Sequence, residues 1–121
     1  MRNISFSMTT PQFIDGSKDV TRRFGWQFLK PGDRLMAVEK AMGLKKGEKM
    51  KRLGEIEVVS VRREPLSEMS RDLDYGLEEL RREGYPFGCK SPTEFVIRLA
   101  KSAKVDRHTM VTRIEFRRIK A

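Results

Sequence analysis

The stretch EIEVVSVRREPLSEMSRDLDYGLEEL, residues 55–80, changes its period halfway along, and that change decides the fold class. Residues 55–63 are valine-rich and strand-like, because β-branched side chains fit a pleated surface. From Leu66 the pattern is different. Leu66, Met69, Leu73, Leu77 and Leu80 recur three or four residues apart, the spacing of one face of an amphipathic helix. Gly76 weakens that helix and Gly84 ends it.

Toward the C-terminus, YPFGCK reads as a loop and SPTE opens a second helix. Ser91 caps it, Pro92 takes the first helical position and Glu94 can close a capping box. Phe95, Val96, Leu99, Ala100 and Ala103 form the predicted inner face. Residues 110–120 then alternate, with Met110, Thr112, Ile114 and Phe116 on one side and Arg113, Glu115 and Arg117 on the other. That is the pattern of a half-buried antiparallel strand.

Toward the N-terminus, residues 4–8 predict a first strand. Thr10 followed by Pro11 predicts a helix start, with Phe13 and Ile14 facing inward and Gly16 stopping the turn in a left-handed cap. Residues 18–23 read as extended. Pro31–Gly32 suits a type II turn, and Leu35, Met36, Ala37 and Val38 make a largely buried strand. Residues 40–54 hold six basic residues against one acid, with three glycines, the composition of a mobile cationic loop. The sum is one α+β domain over residues 1–121: a small, mostly antiparallel, barrel-like sheet with helices packed at its sides.

Composition narrows the function classes. The 121 residues carry 26 Lys and Arg against 17 Asp and Glu, a net charge of +9. Such a surplus raises the local concentration of polyanions, so nucleic acid or a nucleotide-derived ligand is the expected partner. An acidic protein surface is the alternative, as the charge alone does not separate the two. One cysteine, Cys89, forms no internal disulfide and suits a reducing compartment, and the N-terminus lacks a signal-peptide core. No apolar run reaches the roughly 20 residues of a membrane span. A cytoplasmic protein that needs no membrane is expected. One His and one Cys without ligand spacing predict no metal site and no cofactor; His108 reads as a turn or surface residue.

The remaining chemistry lies in DGSKDVTRRFGW, residues 15–26. A threonine hydroxyl becomes a nucleophile when a base takes its proton, a desolvated lysine can be that base, and a glutamate can pass protons to a leaving group. Lys18 and Thr21 supply two of the three. They converge only if Lys18 sits on the turn after Gly16 and Thr21 lies in the strand, since residues three apart on a strand face opposite sides. The nucleic-acid reading uses the same segment differently. Lys18, Arg22 and Arg23 contact phosphates, and Lys45, Lys46, Lys49, Lys51 and Arg52 form a second cationic arm. Phe24 and Trp26 either stack on an unpaired base or belong to the core.

The order of these landmarks resembles the ASCH domain family, related to the PUA-like fold. It runs through G-x-K-x-x-T-x-R (Gly16, Lys18, Thr21, Arg23), LKPGD (residues 29–33), the valine-rich strand near Val58, Glu83–Gly84, the SPTEF helix start and the closing RIEF (residues 113–116). With its TRR variant and long basic loop, the chain looks most like the ASCH proteins of phages and prophage-bearing bacteria. The resemblance implies a small β-barrel with helices at its rim and a cleft for RNA or a modified nucleoside beside the G-x-K segment. Some small bacterial members remove the acetyl group from acetylcytidine. Carried over by motif, Lys18 would activate or orient, Thr21 would be the nucleophile and Glu83 the acid/base, with Arg23 holding the ligand; Glu78 and Glu79 are the alternative carboxylates. Arg22 and the basic loop depart from those enzymes and favour a polymer over a free nucleoside.

Overall fold

The computed structural model describes residues 1–120. In chain order the elements are β1 (Arg2–Ser5), α1 (Thr10–Asp15), β2 (Val20–Arg23), β3 (Arg34–Val38), β4 (Arg52–Pro65), α2 (Glu68–Arg71), α3 (Leu73–Glu83), α4 (Pro92–Ala103) and β5 (Met110–Arg118), with a 3-10 turn at Pro86–Gly88 before α4. The strands form one curled sheet in the order β1-β3-β4-β5-β2. Only β1–β3 is a parallel pair; the other three are antiparallel. The architecture is therefore α+β and mostly antiparallel, as expected, but the sheet is a half-barrel and not a closed one. Its open edges are β1 and β2, and no ladder joins them among the described residues.

The long strand β4 makes the curl. Its first half pairs with β3 and most of its length with β5. A register shift between Val58 and Ser60 bends it where it passes from one partner to the other. Ile4, Phe6, Phe13, Leu35, Ile56, Ile114 and Phe116 fill the hollow of the half-barrel. Phe6 stacks on Phe13 at 5.1 Å and tilts against Phe116 at 5.4 Å. Leu66, Met69, Leu80, Cys89, Phe95, Val96 and Val111 form a second cluster under the helices. There the Cys89 thiol is core material, and burial pushes it up.

Several local expectations need correcting. Ile14 faces solvent, and the Thr10 hydroxyl donates back to the Phe6 carbonyl instead of capping α1; Thr9 occupies the cap position. Gly16 does end α1 in the left-handed conformation, φ 84°. The helix foreseen from Leu66 is two helices, broken at Asp72, whose side chain accepts from the Tyr75 backbone N–H. Its inner face is also different. Leu73 and Leu77 are 65% and 45% exposed, while Gly76, Glu79, Leu80 and Glu83 are buried. Gly76 is there for space: an added Cβ would lie 2.0 Å from the Met69 carbonyl oxygen and 2.8 Å from Pro92 Cβ. In α4 Ser91 caps through the Glu94 N–H as expected, but Ala103 is exposed. On β5 both faces are covered in the middle, so Arg113 is as buried as Ile114. The basic segment reaches only to Lys51, since Arg52–Pro65 is β4. No helix among the described residues is long and apolar enough to cross a membrane.

Candidate functional site

The gap between the two open edges is a pocket of about 230 Å³. One wall comes from the end of β1 and the turn after it, Ser5–Thr9. Another is β2 with the residues flanking it, and a third is the Pro86–Phe87 turn with Phe95 and Leu99 of α4. Where a closed barrel would have ladder bonds, Arg23 reaches from β2 and donates through Nη2 to the Ser5 carbonyl at 2.5 Å. The unclosed seam of the sheet is thus what creates the cavity.

Lys18, Thr21, Arg23 and Glu83 all line it. Lys18 sits on the turn between α1 and β2, and Thr21 lies in β2, as their convergence required. Lys18, Thr21 and Glu83 are only 4%, 3% and 2% exposed, so the polar groups are withdrawn to the floor. The Lys18 ammonium donates to three oxygens: the Glu83 carbonyl at 2.6 Å, the Val20 carbonyl at 2.9 Å and Glu83 Oε1 at 3.1 Å. Burial pulls the Lys18 ammonium below the usual lysine range, and the Glu83 carboxylate pulls it partly back. Thr21 Oγ1 accepts from Arg23 Nε at 3.1 Å. Burial likewise lowers Arg23, whose Nη1 has no acceptor among the described residues, a donor free for a ligand oxygen.

Behind the floor lies a buried charge cluster. Arg22 donates to Glu83 Oε2, Glu64 Oε2 and Glu79 Oε1, at 3.1, 3.2 and 2.6 Å. Burial alone would lower Arg22, but three carboxylates hold its guanidinium above the ordinary arginine value. Glu79 also accepts two bonds from Arg113. Burial would raise Glu79, yet Arg113 and Arg22 outweigh it and hold the carboxyl at about 2. Tyr75 Oη donates to Glu64 at 2.7 Å and accepts from Arg62 at 2.5 Å. Every carboxylate in the cluster is met by a cation, the condition under which buried charge is tolerated.

Of the remaining expected site residues, only Arg22 borders the pocket. Arg22 is not a surface phosphate contact, because its side chain is wholly covered by its carboxylate partners. Trp26 is outside the pocket lining; it stacks on Phe28 at 5.6 Å and packs on the half-barrel core. Gly16 shapes the turn before Lys18 without lining the cavity. Lys45, Lys46 and Arg52 are exposed and line no part of it. Lys49 and Lys51, with Lys40, Glu39, Leu44 and Glu48, border a second cleft that shares Ser7 with the pocket. Of the candidate carboxylates, Glu83 is in the pocket, Glu79 is behind it and Glu78 pairs with Arg81 at the surface. Sequence reasoning had no sign that Phe6, near the N-terminus, would share walls with Phe87 and Phe95, about eighty residues later. Glu64 carries no such sign either, although Glu79 and Glu83, four apart on a helix, form a spacing that could have been noticed.

No protein-family model and no curated protein matches the chain. Solved structures similar to it in fold include the following two. Protein EF3133 from Enterococcus faecalis V583, described with the family model DUF984, superposes with a TM-score of 0.62 at 12% identity, over 98% of this chain and 76% of its own. The hypothetical protein PH0355 superposes with a TM-score of 0.57 at 19% identity, over 98% of this chain and 96% of its own. The half-barrel with flanking helices is therefore an architecture that this chain shares with these two proteins.

Proposed function

We propose that the chain is an ASCH-type domain that binds RNA or a nucleotide, seating a base in the pocket between β1 and β2. The observation that carries this reading is the meeting of Lys18, Thr21, Arg23 and Glu83 in one pocket whose other walls include Phe6, Phe24, Phe87 and Phe95. A planar ring stacks on aromatic walls, and donors and acceptors at the floor read its edge. A phosphate on the ribose of that base has the neighbouring cleft of Lys40, Lys49 and Lys51 within one residue, Ser7, of the pocket. Binding of single-stranded RNA, structured RNA and cytidine monophosphate at rising salt tests this. Affinity should fall steadily with salt for the RNAs. No binding by any of these at low salt, or RNA binding indifferent to salt, defeats the reading.

A second reading is amide hydrolysis on acetylcytidine, favoured by one observation: a lysine lowered by burial, paired with a carboxylate, lines the same pocket as a buried threonine. All three Lys18 hydrogens are engaged at rest. Lys18 would therefore first pass a proton to Glu83 Oε1 and then take one from Thr21 Oγ1 as that oxygen attacks the acetyl carbonyl. The C–N bond breaks as Glu83 returns its proton to the exocyclic nitrogen. Water then hydrolyses the threonine ester, giving acetate. Cytidine release from acetylcytidine is the assay, and turnover that survives both Thr21→Val and Lys18→Met rules this mechanism out.

A further inference from the structure

The Arg22 guanidinium works in two directions. Nη1 points to the pocket side and donates to Glu83 Oε2 at 3.1 Å. Nη2 points away and donates to Glu79 at 2.6 Å, Tyr75 Oη at 3.1 Å and Glu64 at 3.2 Å. Nε is buried without a partner, so the fork contacts alone set the orientation of the group. Glu83 is correspondingly divided, with Oε2 on Arg22 and Oε1 on Lys18 at 3.1 Å. Glu79 and Glu83 stand one turn apart on the buried face of α3, where two like charges repel. Lys18, a single nitrogen, holds one oxygen of Glu83 and leaves the carboxylate free to turn. A planar fork removes that freedom, and a lysine in its place could not serve both sides.

We propose that Arg22 is a positioning residue of the pocket: it grips Glu83 by Oε2, anchored from behind by Glu64, Glu79 and Tyr75, so that Oε1 stays aimed at Lys18. Its side chain is covered, so it acts on a ligand only through Glu83. The proposal rests on reading the pocket as the ligand site.

The test uses three variants of the full chain. Arg22→Lys keeps the charge and loses the fork. Arg22→Met combined with Glu79→Gln removes one charge of each sign, leaving Glu83 with Lys18 and Glu64 with Arg62. Glu79→Gln alone is the control: its amide oxygen can still accept from Arg22 Nη2 and Arg113 Nε, so the anchor behind Arg22 is kept while the charge is lost. Thermal melting confirms folding, cytidine monophosphate affinity reports on the pocket, and the Lys18 ammonium resonance in an NMR spectrum of the lysine side chains reports on its order. The control should keep a sharp Lys18 signal and wild-type affinity within about twofold. Both Arg22 variants should lose about tenfold or more in affinity, as for a charged hydrogen bond, with Lys18 broadened by faster exchange. Wild-type affinity and a sharp Lys18 signal in either folded Arg22 variant overturn the proposal. So does a control that loses as much, or failure of both Arg22 variants to fold, since each makes the cluster a general scaffold. If the wild-type protein binds neither RNA nor cytidine monophosphate, the ligand reading fails by itself, and the Lys18 signal alone then judges Arg22.

Discussion

At the scale of single residues, Lys18 and Thr21 are both buried but differ in what depends on them. Lys18 satisfies two main-chain carbonyls and a buried carboxylate, whereas Thr21 offers one acceptor to Arg23. Removing one partner of a buried ion pair strands the other charge, at about 3–5 kcal/mol. A lost neutral acceptor costs about 1 kcal/mol. Denaturant titration should therefore show Lys18→Met several-fold more destabilising than the near-isosteric Thr21→Val. Equal losses would mean that Arg22, the second cation on Glu83, holds that carboxylate unaided. The K-x-x-T spacing was legible in the sequence, and the turn that lets the two converge followed from Gly16. What was not legible was the place of the residue at position 22. An arginine between a threonine and another arginine on a basic chain reads as surface, and only the three carboxylates around it show that it is interior.

At the scale of elements, α3 is where periodicity and structure part company. Leucines at helical spacing implied a leucine face, but Leu73 and Leu77 point out, and the helix turns two carboxylates inward to meet Arg22 and Arg113. The break at Asp72 resets the phase between α2 and α3, so a single stripe drawn through both describes neither. Two substitutions separate the readings. Leu77→Lys should change stability by no more than about 0.5 kcal/mol, as at an exposed site. Gly76→Ala should lose about 1–3 kcal/mol, because its Cβ would meet the Met69 carbonyl and Pro92 and force α2 and α4 apart. Thermal melts of the two variants decide. A greater loss in Leu77→Lys would restore the leucine stripe as the core face.

At the scale of the whole molecule, the buried cluster ties three strands and α3 together through ionised carboxylates. Glu79 is held at about 2, below its ordinary 4.5, and Glu64 is also lowered by Arg22 and its other partners despite burial. The unfolded chain therefore binds more protons between those values. Stability contributed by these groups is complete above about pH 4.5 and is lost as pH falls toward 2, by a few kcal/mol for Glu79 alone. Acid unfolding followed by circular dichroism should steepen in that window, and Glu79→Gln should flatten it; a variant curve parallel to wild type would contradict the assignment. The surface charge acts at the same scale but through solvent. On the proposed reading, replacing Lys49 and Lys51 by Glu should weaken RNA binding and reduce its salt dependence by about one ion per lysine, leaving the melt nearly unchanged. An unaltered salt slope would take the second cleft out of the interface.

The sequence by itself determined the α+β class, the order of most elements, the turn that carries Lys18 and the net charge of +9. Each of these depends on local period, caps and composition, which are written in neighbouring residues. The tertiary structure alone decided that the sheet stays open between β1 and β2, that the opening is the pocket, and that Arg22 with Glu64, Glu79 and Glu83 lies inside. Those outcomes depend on strand order and on charges brought together from β2, β4, β5 and α3. An isolated charge is solvated, and only opposite charges delivered to the same place by the fold can leave water together.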